Sequence, residues 1–349
     1  MSYNFVGDYM KIARLITTVD AHTAGENVRV ITGGIPYIPG ETIVEKMEYC
    51  KKELDHLRTA LMYEPRGYRA MFGCILTAPT TNDADLGILF MGAPGYLDMC
   101  GHALIGATTV VIETGIIKAT EPTTIIKWDT CAGLITTMAN FENERVQSVT
   151  FRGTPSFLYK SNVPIEACRL GKILVDISFG GVFTVIVSAK DLGIKVIPDY
   201  SNRILDIGER VLNAINEQVE IKHPDHPHVE TVGQVMITDD PVNPSANYRN
   251  AVVCCHESGR SKMAIDRSPC GTGTCARMAQ LFSDGELKLN REFIHESIIG
   301  TLFRGKLVEE VHVGDYRAAV PEVTGTAYVT GIHQFVLDRD DPLKYGFLL

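Results

Sequence analysis

The chain has 349 residues, 45% hydrophobic and 21% charged, with a formal net charge of −9 and a pI near 5.6. That length suits two globular domains of ordinary size, and an acidic balance without a basic run argues against nucleic acid as a partner. No apolar run approaches the ~18 residues of a membrane span, and residues 1–14 lack the apolar segment of a signal peptide, so a cytoplasmic location is expected.

The predicted elements run as follows. Residues 10–33 read as a strand pair, with Ile12, Leu15, Ile16 and Val19 leading into Asp20-Ala21-His22-Thr23-Ala24-Gly25-Glu26 and then Val28-Arg29-Val30-Ile31. His22 and Glu26 are expected to hydrogen-bond locally within that turn. From Glu41 or Thr42, the apolar positions Ile43, Met47, Cys50, Leu54, Leu57 and Leu61 recur at helical spacing, one face of an amphipathic helix that ends before Pro65 and Gly67. Strand-like runs follow at Met71–Leu76 and Leu86–Met91.

Met99-Cys100-Gly101-His102 then opens a helix that is small or apolar almost all round, so it should be buried on every side, and Gly115 stands where a helix stops. Alternating strands continue to about residue 160. The second half repeats the plan: strands at Ile173–Ile177 and Phe183–Val187 around Gly180-Gly181, an amphipathic helix on Ile204, Ile207, Val211 and Ile215, and strands at Val232–Ile237 and Ala251–Val253. Ser268-Pro269-Cys270-Gly271-Thr272-Gly273-Thr274 opens its last helix, and Gly285 stands fifteen residues after Cys270, as Gly115 does after Cys100. Residues from Gly325 onward return to strand character.

Two copies of one plan imply a duplication with pseudo-twofold symmetry. A buried helix in a strand-rich half suggests an α+β fold in which a strongly curved sheet or barrel wraps a central helix, with the active site in the cleft between halves. The expected division is residues 1–158 plus 331–349 for the half holding the Cys100 helix, and 159–330 for the half holding the Cys270 helix.

Each half therefore presents one thiol at a helix N-terminus. Nine cysteines, an odd number with irregular spacing and no C-x-x-C pair, read as reduced thiols and not as a disulfide framework or structural zinc. Unpaired N–H groups and the positive end of the helix dipole favour thiolate there, so both thiols are expected below the usual ~8.5. Two such N-termini facing each other would bind one carboxylate, and a thiolate and a thiol on opposite sides of a carbon can invert it by removing a proton from one face and returning one to the other. His102 and Asp266 are candidates to hold an amine. The chemistry requires no cofactor and no metal, and Walker A, G-x-G-x-x-G and H-E-x-x-H motifs are absent.

Met99-Cys100-Gly101-His102 and Asp266-Arg267-Ser268-Pro269-Cys270-Gly271-Thr272-Gly273-Thr274 resemble the two signatures of the proline racemase family. Asp20-x-His22-Thr23-x-Gly25-Glu26, Glu64-Pro65-Arg66-Gly67, Met71-Phe72-Gly73 and Asp341-Pro342-Leu343-Lys344-x-Gly346-Phe347 are similar to further family patterns, so the resemblance spans nearly the whole chain. It implies a cofactor-independent homodimer with a diaminopimelate-epimerase-like fold, acting on a small amino or imino acid. By resemblance Cys100 and Cys270 form the acid/base pair. The backbone of Gly101, His102, Gly271 and Thr272 holds the carboxylate, and the His102 and Asp266 side chains contact the ring nitrogen. Phe72, Phe90 and Leu97 match apolar pocket positions.

The implied activity is racemisation of proline, with 4-hydroxyproline 2-epimerisation as the alternative. A branch that dehydrates trans-3-hydroxyproline carries Thr or Ser at the second cysteine, and Cys270 argues against it. Proline-specific members resemble Val-Val-Ile-Phe-Gly where this chain has Ala251-Val252-Val253-Cys254-Cys255, followed by a longer loop at 256–265. The small Cys254 is expected to enlarge the pocket and broaden specificity. Rival readings are a metal-binding protein using Cys100, His102, Cys270 and Cys275, and a nucleophilic-cysteine hydrolase. Asp266 also suits a turn cap.

Overall fold

Alternating apolar residues turn long stretches of the chain into strands, and the two runs that follow the motif cysteines, buried along almost their whole length, become helices that those strands enclose. The computed structural model describes residues 12–227, 229–255 and 263–348. In chain order the strands are β1 (Ile12–Thr23), β2 (Glu26–Gly33), β3 (Phe72–Thr77), β4 (Leu86–Gly92), β5 (Tyr96–Leu97), β6 (Thr123–Thr130), β7 (Gly133–Glu142), β8 (Arg145–Arg152) and β9 (Ser156–Ala167). They continue as β10 (Gly171–Phe179), β11 (Phe183–Ser188), β12 (Val232–Asp239), β13 (Tyr248–Cys255), β14 (Met263–Asp266), β15 (Phe293–Glu296), β16 (Leu302–Val313), β17 (Tyr316–Gly325) and β18 (Ala327–Asp338). The helices are α1 (Ile43–Tyr49), α2 (Asp55–Met62), α3 (Gly101–Glu113), α4 (Ser201–Gln218) and α5 (Gly271–Ser283).

The single helix expected over residues 42–61 is present with one modification. Thr42 and Glu45 form a reciprocal capping box at its start, but a π-helical turn at Cys50–Leu54 separates α1 from α2. These helices carry the chain from β2 to β3, which pair in parallel. In the same way α4 carries it from β11 to the parallel β12, with Ile204, Ile207, Val211 and Ile215 all buried. A helix on the sheet face is the usual link between parallel neighbours.

Strand pairings run β18–β1–β2–β3–β4–β6–β7–β8–β17 on one side. On the other, β9, β10, β11, β12, β13, β15, β16 and β17 pair in succession, and β17 returns to β9, closing the ring. Thus β17 belongs to both sets. Helix α3 packs against β1, β2, β8 and β18, and α5 packs against β9, β10, β16 and β17. Every residue of α3 from Gly101 to Ile112 is buried, as its all-round apolar character requires.

Trp128, the chain's one tryptophan, is fully buried on β6. Its indole N–H donates to Thr137 Oγ1 at 3.0 Å, and Thr108 of α3 donates to the same oxygen at 3.2 Å. Among the described residues no helix is long and apolar enough to cross a membrane.

Candidate active site

Both motif cysteines stand immediately before a buried helix. Cys100 caps α3 in extended conformation. Cys270 caps α5 with φ +63°, a left-handed conformation costly for a non-glycine residue. At the far ends Gly115 and Gly285 adopt φ +74° and +80°, the left-handed stop their spacing predicts. The two helix starts meet glycine to glycine. A Cβ on Gly101 would lie 3.2 Å from Gly271 Cα and 3.0 Å from the Phe151 ring, and a Cβ on Gly271 would lie 3.1 Å from Gly101 Cα. Side chains at either position would force the helices apart, so the close approach depends on both glycines.

Around that contact lies a cavity of about 100 Å³ lined by Cys100, Gly101, His102, Cys270, Gly271, Thr272, Asp266, Cys254, Phe72 and Leu97, together with Met99, Val182, Gly233 and Gln234. The sequence-predicted residues are thus brought together, with one exception. Phe90 is 1% exposed in the core and does not line the cavity; its strand neighbour Leu97 does. Alternation along β4 sets which residues share a face, and tertiary packing decides which face meets the cavity. A larger cavity, about 380 Å³, lies around Arg277 and Gln280 further along α5 and includes neither motif thiol.

The environment of Cys100 corrects the expectation of a lowered pKa. Burial pushes the Cys100 thiol well above its ordinary value, and the Ala103 N–H at the start of α3 opposes this only in part. Desolvation of the charged form outweighs the helix terminus here, so Cys100 rests as a thiol. His102 Nδ1 lies 3.3 Å from its sulfur. Burial pushes His102 down to about 4, leaving a neutral ring that stands edge-on to Phe72 at 4.8 Å. The Cys254 thiol is also held well up, first by its hydrogen bond with Cys270 and then by burial.

Asp266 does cap the following turn: Oδ1 accepts from the Ser268 N–H at 2.8 Å and from its hydroxyl at 2.7 Å. It nevertheless lines the cavity. Glu26 departs from its expected local role. Its Oε2 accepts from the Arg267 N–H at 2.7 Å, its Oε1 lies 3.0 Å from the Arg267 guanidinium, and burial followed by the Asp266 charge pushes its carboxyl well up. His22 does remain local, accepting from the Gly25 N–H at 3.2 Å. Arg267 also reaches Asn27 at 3.0 Å, so the β1–β2 turn is fastened directly to the second motif.

Gln234 carried no signal in the sequence. It lies on β12 opposite Cys254, with Oε1 at 3.7 Å from Cys270 Sγ and 3.8 Å from Cys254 Sγ. Residues 256–262 of the long loop lie outside the described residues. Among the described residues no group of three or more His, Cys, Asp or Glu side chains is arranged to hold a metal ion. Cys275, a ligand in the metal-binding reading, is 1% exposed and packs near Gly153, outside the cavity.

The sequence profile described as "Proline racemase" matches residues 18–348. A proline racemase of Clostridioides difficile is 46% identical over 340 residues, covering 97% of this chain and 100% of that one. A trans-3-hydroxy-L-proline dehydratase of Bacillus cereus is 43% identical with the same coverage. Among solved structures, a hydroxyproline epimerase from Agrobacterium vitis with bound trans-4-hydroxy-L-proline superimposes with a TM-score of 0.87 at 32% identity, covering 97% of each chain. The sheet-rich barrel architecture is shared with that structure, and the match runs through both cysteine motifs: the chain belongs to the proline racemase family of isomerases.

Proposed function

We propose that the chain racemises proline without a cofactor, using Cys100 and Cys270 as the acid/base pair. The observation that carries this reading is the meeting of two cysteine-capped helix starts at one small cavity. The substrate carboxylate is held by the first N–H groups of α3 and α5, at Gly101, His102, Gly271 and Thr272, which have no partner inside their helices. His102 and Asp266 take the ring nitrogen. Phe72, Leu97 and Cys254 wall the ring, and Phe90 supports that wall from the core. One sulfur removes the Cα proton as thiolate while the other, a thiol, delivers its proton to the opposite face. The N–H groups around the carboxylate stabilise the carbanionic transition state. Burial favours the protonated form of Cys100, which suits it to begin as the acid. The enantiomer reverses the roles.

The same reading takes the molecule as two pseudo-symmetric halves of diaminopimelate-epimerase-like fold, residues 1–158 with 331–349 and residues 159–330, in a cytoplasmic homodimer. The alternative substrate is 4-hydroxyproline. It is favoured by the polar wall of Cys254, Gln234 and Thr272 and by the relative solved with trans-4-hydroxy-L-proline. Cys270, where a dehydratase of the branch described above carries Thr or Ser, argues against dehydration.

The test is incubation of L-proline and trans-4-hydroxy-L-proline in D2O, following the Cα proton signal and the optical rotation. The Cα proton signal should fade for the true substrate; the rotation should decay to zero if that is L-proline and shift to a second value if it is the hydroxyproline, whose product is a diastereomer. Full racemisation by a Cys270→Ser protein would rule out the two-thiol mechanism, and a pyrroline product would select dehydration.

A further inference from the structure

Gln234 is 4% exposed, and its amide orientation is fixed by its neighbours. The Thr184 hydroxyl donates to the Val182 carbonyl at 3.2 Å, so it must accept from Gln234 Nε2, 2.7 Å away. The same Nε2 donates to Thr272 Oγ1 at 3.2 Å. Oε1 is thereby turned toward Cys270 Sγ and Cys254 Sγ, at 3.7 and 3.8 Å. Thr272 Oγ1 is itself 3.6 Å from Cys270 Sγ. With Thr272 accepting from the amide, its own hydroxyl proton has two acceptors within reach, Gln234 Oε1 at 3.5 Å and that sulfur, and it turns to the sulfur when Cys270 carries the charge.

We propose that Gln234 is a positioning residue that serves Cys270 in both protonation states: Oε1 accepts the S–H of the thiol, and Nε2, by holding Thr272 as acceptor, directs the Thr272 hydroxyl onto the thiolate. The inference rests on the reading of Cys270 as an acid/base residue. An enzyme that acts on both enantiomers needs each sulfur to be stable as acid and as base. An amide paired with a hydroxyl meets that need without titrating. Cys100 meets it differently, through a neutral imidazole at 3.3 Å that offers N–H or lone pair according to its tautomer. The proton that Cys270 takes from Cα comes to rest on its sulfur, pointed at Oε1.

The titratable groups facing Cys270 come from several elements: Cys254 on β13, Asp266 after β14, and Cys100 and His102 at the start of α3, with Glu26 of β2 behind Asp266. A change at Gln234 is therefore read on Cys270 itself. The experiment compares wild type, Gln234→Met and Gln234→Glu. It measures steady-state racemisation of L-proline against pH, and the pH dependence of Cys270 alkylation by iodoacetamide, read by peptide mass spectrometry. Gln234→Met should lower kcat by ~10-fold or more while KM changes by less than ~3-fold, since proton transfer and not binding is impaired.

Gln234→Glu gives the sharper test. As a neutral acid the new side chain offers one acceptor and one donor, as the amide does. As a carboxylate it offers no donor and disfavours thiolate. Its kcat should therefore approach wild type on the acid side and fall as pH rises, and its Cys270 alkylation midpoint should move up. If Gln234→Met does not fold, the one Gln234→Glu protein measured at two pH values decides. A wild-type pH profile together with unmoved Cys270 alkylation in the variants overturns the inference. If wild-type protein fails to exchange the Cα proton at all, the proposed function is what fails.

Discussion

Cys100 and Glu26 carry opposite expectations at the scale of single residues, and burial decides both. A helix start lowers a thiol pKa by its N–H groups, yet at Cys100 the loss of water costs the thiolate more. Iodoacetamide should thus label Cys100 slowly at neutral pH and quickly only above the ordinary thiol range. A Cys100→Ser protein should lose at least ~100-fold in kcat for Cα exchange, with KM little changed. Burial and then the Asp266 charge raise the Glu26 carboxyl well above its ordinary value, which favours its neutral form. Glu26→Gln should then unfold in urea within about 1 kcal/mol of wild type, whereas Glu26→Ala should lose ~2 kcal/mol by leaving the Arg267 N–H without its acceptor. Equal losses in the two variants would mean that Glu26 is charged. The cysteines were legible because a Cys-Gly pair and a glycine fifteen residues on are local signals. Gln234 and Glu26 were not, because Gln234 meets Cys270 across 36 residues and Glu26 meets Arg267 across 241, and nothing near either residue announces the partner.

Among the elements, α3 and α5 depend on what holds their first turns. Gly101 and Gly271 set their mutual approach, so Gly271→Ala should cost ~1–3 kcal/mol by overpacking against Phe151 and lower kcat more than tenfold; thermal melts and initial rates check both. The start of α5 is also pinned by His295, whose Nδ1 lies 3.0 Å from Thr274 Oγ1 and 3.3 Å from Asn250 Nδ2. Burial pushes His295 down to about 3 and His102 to about 4, both below the ~6.5 of a free histidine. The unfolded chain therefore binds these protons first. Stability from the neutral rings is complete above pH ~6.5 and falls as pH drops toward the folded values, by up to ~1.4 kcal/mol per unit for each ring. Glu26, with its raised pKa, opposes this trend. His295→Asn isolates one ring: its urea midpoint should fall less than that of wild type between pH 7 and 5. An identical fall would show that His295 does not contribute.

Across the whole molecule the alternation of strands and the repeated helix plan were readable, but ring closure was not. Sequence pattern marks which residues form strands, and it does not reveal that β17 pairs with β8, β9 and β16. The assignment of residues 331–349 to the first half came without a register; the 12-residue β18 pairs along β1. The helix over 42–61 was legible by period and cap, while its π-helical turn was not, because such a turn leaves the spacing of apolar residues nearly intact. The end of β18 and the segment after it are tied back as well. Arg66 donates to the carbonyls of Lys344 at 3.2 Å and Val336 at 3.0 Å, and Glu64 bridges to Phe347. Deleting residues 339–349 should lower the melting temperature by several degrees and raise amide exchange first at residues 63–68. Uniform loosening across the chain would argue against this local tie.

Trp128 has a practical consequence for watching the molecule unfold. As the one tryptophan, hydrogen-bonded through Thr137 to α3, it makes intrinsic fluorescence report on the surroundings of the Cys100 helix and stay largely silent about the closed ring around α5. Far-ultraviolet dichroism averages over both. Superimposable denaturation curves from the two signals would show that the layers melt as one cooperative unit. A displaced fluorescence curve would reveal one lobe opening while the other persists, and with it a catalytic centre dismantled before the protein has unfolded.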